Sequence, residues 1–133
     1  THNMPGIAGL LEGIRYVQRT GVETIAAHER CLTAQAVALL RQTEGIRLFW
    51  RDGLRHQTGV LSFVVEGVDC EELGEALARQ GIALRAGLHC APLAHRTVGT
   101  LKTGTVRFSP SAFNTSQQVV QFAQILQRTI RKM

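Results

Sequence analysis

Apolar residues recur at helical spacing as far as Gly45 and only then shorten to strand-length runs, so a single sheet with helices on it must be built mainly from the remaining two thirds of the chain. After Pro5, the positions Ile7, Leu10, Leu11, Ile14 and Val17 mark a helix that Thr20-Gly21 stops. A second, longer pattern (Ile25, Leu32, Ala36, Leu39, Leu40) predicts another helix running to Gly45. Strand signals follow. Ile46-Arg47-Leu48-Phe49-Trp50 is short and bulky, Arg51-Asp52-Gly53 supplies a turn, and the residues from Gly59 to Val65 read as a second strand, apolar on both faces.

Asp69-Cys70-Glu71-Glu72 forms a capping-box pattern, opening a short helix through Leu73 and Leu77 that Gly81 ends. Ile82-Ala83-Leu84-Arg85 predicts a brief strand. From Ala86 to Gly104 no periodicity is visible, and a loop of that length inside a compact domain points to function. Thr105-Val106-Arg107-Phe108 alternates like a strand, with Val106 and Phe108 on one face and Arg107 on the other. Thr115 with Gln118 makes a second capping box, before a helix striped by Val119, Ala123, Leu126 and Ile130. The order helix, helix, strand, strand, helix, strand, long loop, strand, helix predicts an α+β fold. It has about four mostly antiparallel strands, with helices packed on one face. No internal repeat or low-complexity segment interrupts it.

A chain of 133 residues fits one domain and buries a useful core without disulfides. No apolar run approaches the roughly 18 residues of a membrane helix, which argues against a membrane protein. No basic stretch followed by an apolar one opens the chain, so a cytoplasmic location is expected. Cys31, Cys70 and Cys90 are an odd number at wide spacing, which fits neither a disulfide framework nor a zinc knuckle. The net charge of +5 comes from thirteen arginines and only two lysines, Lys102 and Lys132. Those arginines are scattered and no aromatic residues interleave with them, which argues against a nucleic-acid surface.

The stretch Arg85-Ala86-Gly87-Leu88-His89-Cys90-Ala91-Pro92 concentrates the chemistry. A thiol in a loop beside Arg85 and His89 has the positive neighbours that favour a thiolate nucleophile, while a buried structural cysteine is the competing reading. Cys31 and Cys70, on predicted helices, read as buried small hydrophobes. Adjacent His89 and Cys90 point apart in an extended segment, and adding His95, His28 or Cys31 does not give zinc-ligand spacing, so no metal site is expected. His28, His56 or His95 could each serve a cysteine-protease arrangement, but no local signature supports one, and His28 and His56 read as surface residues. Arg107, on the strand face turned toward the Cys90 loop, is either a surface ion-pair partner or a planar fork for a small carboxylate.

RAGLHCAP followed by TVRFSPSAFNT resembles the C-terminal part of cysteine desulfurases, pyridoxal-phosphate enzymes of the class V aminotransferase family and fold type I. THNMPGIAGL at the start and VEGVDCEELGEALARQGIALRAG before the loop resemble the same family, in the same order. The resemblance implies that Cys90 is the nucleophile that takes sulfur from L-cysteine as a persulfide and leaves alanine. It implies that Arg107 grips the substrate carboxylate with Arg85 in support. It also implies that Thr1 and Asn3 contact the cofactor phosphate of the other subunit in a homodimer, while His89 helps to support the loop. A sulfur-acceptor protein is the implied partner. The family's lysine, in a His-Lys context on a large preceding domain, is absent. The resemblance therefore implies that residues 1–20 are a connecting segment and helix from that domain and 21–133 the small C-terminal domain. Such a chain is not expected to hold cofactor or turn over cysteine alone. Selenocysteine lyases, sulfinate desulfinases and aminotransferases share the family, and a stand-alone sulfur carrier remains a further alternative.

Overall fold

The computed structural model describes residues 2–51 and 57–133. Its elements are α1 (Met4–Thr20), α2 (Val22–Leu40), β1 (Ile46–Phe49), β2 (Leu61–Val65), α3 (Cys70–Ala78), β3 (Arg85–Gly87), α4 (Pro92–Val98), β4 (Thr105–Phe108) and α5 (Ser116–Ile130). The four strands form one antiparallel sheet in the order β1-β2-β4-β3. This is the α+β architecture that the alternation of periods predicts.

The register explains why the sheet has two unlike faces. Leu61 pairs with Phe108 and Phe63 with Val106, so Leu61, Phe63, Val65, Val106 and Phe108 share one face. All five are buried against Leu32, Val37 and Leu40 of α2, Leu73 and Leu77 of α3, and Phe122 and Leu126 of α5. The Phe108 and Phe122 rings stack at 4.9 Å between sheet and helix. The opposite face carries a row across all four strands: Phe49 opposite Ser62, Ser62 opposite Arg107, and Arg107 opposite Arg85.

Of the two expected capping boxes, the one at α3 forms by half, through Asp69 alone, and the one at α5 in full. Asp69 accepts from the backbone amides of Glu71 and Glu72 at the start of α3. At α5 the Thr115–Gln118 capping box closes in both directions. Other expectations shift. The strand expected at 82–85 forms instead at Arg85–Gly87, because the backbone finds its ladder only opposite Thr105–Arg107. The aperiodic stretch from Ala86 to Gly104 contains α4, which begins on Pro92 at a first-turn position, where its missing N–H does no harm. Left-handed Gly99 stops α4 after seven residues, too few to display a helical stripe. Of the expected turn at Arg51-Asp52-Gly53, Asp52 and Gly53 lie outside the described residues, as does His56.

Gly21, at φ 87°, is the only residue between α1 and α2. α1 joins α2 at this residue and buries no side chain, leaving Ile7, Leu10, Leu11, Ile14 and Val17 exposed. Its one aromatic tie sets Tyr16 5.1 Å from Phe113 in the turn before α5. No described helix is long and apolar enough to cross a membrane.

Candidate active site

β3 and β4 lie side by side, and their register sets Arg85 directly opposite Arg107 on the face away from the core. Like charges in that position repel across a ladder. Among the described residues neither arginine is paired with a carboxylate, and the Arg107 Nε is buried without a hydrogen-bond partner. Two unneutralised guanidinium groups and an orphaned N–H on one strand face form a basic patch suited to an anion, and a carboxylate matches the planar fork of Arg107.

His89 adjoins this pair. Its Nε2 lies 3.1 Å from the Thr105 carbonyl oxygen and 3.2 Å from the Thr105 hydroxyl. A carbonyl only accepts, so Nε2 carries the ring proton and Nδ1 is bare. That Nδ1 is buried and has no partner. Burial lowers the His89 pKa, the Thr105 backbone hydrogen bond opposes this, and the charges of Arg107, His95 and Arg85 push it further down. His89 is therefore a neutral ring inside a basic cluster. The His95 ring sits 5.9 Å from it, buried, with Nδ1 2.8 Å from the Thr100 hydroxyl.

Cys90 follows at once and is exposed. His89 and Cys90 both adopt left-handed backbone, φ 51° and 57°, and are the only described non-glycine residues with positive φ. Two consecutive residues in that region are strained and persist only when the surroundings over-determine them. The His89–Thr105 bond and α4 supply that constraint. The thiol thus stands on a short arm between the arginine-bearing sheet face and solvent.

The other candidates divide. Asn3 is exposed and caps α1, its Oδ1 accepting from the Gly6 amide at 3.0 Å. Thr1 lies outside the described residues. Cys70 is buried, as expected, whereas Cys31 is exposed on α2 because it falls on the side of that helix away from Leu32 and Ala36. His28 is a surface residue, its Nε2 2.9 Å from the Asn114 carbonyl. No group of three potential metal ligands assembles among the described residues. Sequence reasoning missed Thr105, His95 and Thr100 as the supports of the loop. Only the pairing of β3 with β4 shows that Thr105 lies beside residue 89, and no single-strand pattern carries that.

Residues 1–122 match the aminotransferase class-V family model. The chain belongs to the aminotransferase class-V family. A cysteine desulfurase of Synechococcus elongatus is 43% identical over 128 residues, which are 96% of this chain and 20% of that protein. A probable cysteine desulfurase of Xylella fastidiosa (strain 9a5c) is 33% identical over 133 residues, 100% of this chain and 31% of its own length. Among solved structures, an apo cysteine desulfurase from Thermococcus onnurineus NA1 superposes with a TM-score of 0.89 at 29% identity, covering 100% of this chain and 32% of that one. The S-sulfonic acid form of the Escherichia coli cysteine desulfurase CsdA gives 0.88 at 28%, with the same coverage. The chain thus spans between a fifth and a third of these relatives.

Class V aminotransferases depend on pyridoxal phosphate, which a lysine holds as a Schiff base. Lys102 is exposed in the turn after α4, and Lys132 is exposed beyond α5. Neither sits in an enclosed site, so the residues present here do not by themselves fit the cofactor. What this chain holds is an exposed thiol on a strained arm beside two unpaired arginines.

Proposed function

We propose that this chain is the sulfur-receiving part of a cysteine desulfurase, converting L-cysteine to L-alanine in the longer protein. The observation that carries this reading is the unneutralised Arg85–Arg107 pair, with its buried orphan Nε, beside the strained His89–Cys90 arm. Arg107 binds the substrate carboxylate from a rigid strand, and Arg85 reinforces it from the neighbouring one. The Cys90 thiolate then takes the substrate's sulfur. A sulfur–sulfur bond forms as the carbon–sulfur bond breaks, and the carbon fragment keeps the electron pair and gains a proton, giving alanine. Pyridoxal phosphate, held by the large domain, supplies the electron sink for that departure.

In the same reading, residues 1–20 connect to the large domain, whose surface covers the apolar stripe of α1. Residues 21–133 are the small domain. Thr1 and Asn3 reach the cofactor phosphate of the second subunit in a homodimer. An exposed Cys90 suits hand-over of the persulfide to a sulfur-acceptor protein. The cytoplasm, where free thiols stay reduced, is the proposed location.

The decisive experiment uses the longer protein. Cys90→Ser is expected to abolish persulfide labelling and cysteine-dependent alanine release while the cofactor's absorbance persists. Retained alanine release would overturn the role of Cys90. Arg107→Lys, which keeps the charge but loses the fork, is expected to raise KM for cysteine by about tenfold or more, and an unchanged KM would remove the clamp.

A further inference from the structure

The arm that carries Cys90 leaves the sheet at Gly87 and returns at Gly104, and these two residues touch. A Cβ built on Gly104 would lie 2.9 Å from the Gly87 Cα and 3.0 Å from its carbonyl carbon. Real Cβ atoms do not come that close, so the two ends of the loop are pinched together to a distance that requires glycine at 104. Both are in left-handed backbone, at φ 104° and 64°. The same imaginary Cβ would lie 2.9 Å from a third group, the Cys70 sulfur.

Cys70 is the first residue of α3 and is buried at 6% exposure. Asp69 fixes that helix end, and Leu73 and Leu77 anchor its next turns in the core. The sulfur therefore belongs to the rigid body of the domain, while the glycines belong to the arm. A cleft opens beside the contact, lined by Asp69, Cys70, Glu71, Leu101, Lys102 and Thr103. Gly87, Gly104 and Cys70 all border this cleft, so the ends of the arm have room to part next to the thiol.

We propose that Cys70 is a positioning residue: its buried thiol is the floor on which Gly87 and Gly104 close, and so fixes where the loop presents Cys90. The functional meaning of that position rests on Cys90 being the nucleophile. The mechanical claim does not. Cys70 takes no part in bond making, and burial, reinforced by the charges of Asp69 and Glu71 and opposed by a hydrogen bond from the Gly87 backbone, pushes its thiol pKa up and keeps it unreactive. His89 adds a second tie two residues beyond the neck, through Thr105 next to Gly104. Release of the Gly104 side of the neck would leave the arm tied to β4 by that bond and by the pairing of Gly87 with Thr105.

The test needs no turnover. In this chain with Cys31→Ser, so that Cys90 is the exposed thiol, Cys70→Ala removes the floor. The expected result is hydrogen exchange at residues 88–103 faster by about threefold or more, and a Cys90 iodoacetamide rate changed by a similar factor, while protection across Val119–Ile130 is unchanged. Unchanged exchange and unchanged alkylation would overturn the proposal. Should Cys70→Ala also lose the α5 protection, Cys70→Ser gives the answer. Its shorter side-chain reach withdraws from both glycines, and the same two changes are expected at smaller size; their absence in a folded variant overturns the proposal. Because neither readout depends on desulfurase activity, a positive result stands even if Cys90→Ser proves active in the longer protein.

Discussion

Arg85 and Arg107 face each other across the β3–β4 ladder with no acid between them. A row of two guanidinium groups is a poor choice for stability and a good one for binding an anion, since opposed like charges weaken a sheet. Arg85→Gln is expected to stabilise the isolated chain by about 0.2–1 kcal/mol at low salt. The gain should shrink as salt approaches the molar range and screens the pair. Thermal unfolding at two ionic strengths checks this, and a destabilised variant would show that Arg85 has a partner that stabilises it.

His89 titrates below the usual imidazole value of 6.5, so the unfolded chain takes up a proton before the folded one does. Its contribution to stability is present above pH 6.5 and is lost as pH falls through the lower folded value. His89→Gln keeps a donor for Thr105 and removes the titration. The variant is expected to lose less stability than the parent between neutral and acidic pH, by denaturant unfolding at each pH.

Cys70 works in the opposite direction. Its folded pKa lies above the ordinary 9.0, so the unfolded thiol ionises first. Its stabilisation is complete below pH 9.0 and is lost as pH rises through the folded value. Cys70→Ser, which does not ionise in that range, should flatten the alkaline limb of the stability profile. A limb that keeps its slope would place the ionisation elsewhere.

Pyridoxal phosphate added to this chain should give no stoichiometric adduct after borohydride reduction, because Lys102 and Lys132 are both solvent-exposed and neither has a phosphate cradle around it. Intact mass measurement decides the point. A single trapped adduct on Lys102 would mean that the neck cleft beside it binds the cofactor.

Much of this was legible in the sequence where a side chain or a period acts locally. The α5 capping box needs only Thr115 and Gln118, and the alternation of Val106, Arg107 and Phe108 fixes which of them faces the core. α4 was not legible, since seven residues from Pro92 to Val98 show no stripe and are held by His95 and Thr100 instead. The candidate site was half legible. Cys90, Arg85 and Arg107 stand out by residue type, but that the arginines are direct neighbours follows from strand register, which depends on residues far apart in the chain. The contact of Gly104 with Cys70 joins the residue before β4 to the first residue of α3 and had no local signal at all.

Because the ends of the arm meet at Gly87 and Gly104, the part of it beyond the His89–Thr105 tie bears little on the pairing of the strands it joins. Lengthening a loop whose ends are already pinned adds little entropy, about 0.6 kcal/mol for each doubling. The stretch between the two glycines is thus the place where this fold tolerates insertions and deletions. An arm of any reach can be exchanged there while Arg85 and Arg107 keep their pairing, so the distance over which a thiol is delivered is free to diverge from the geometry that receives it.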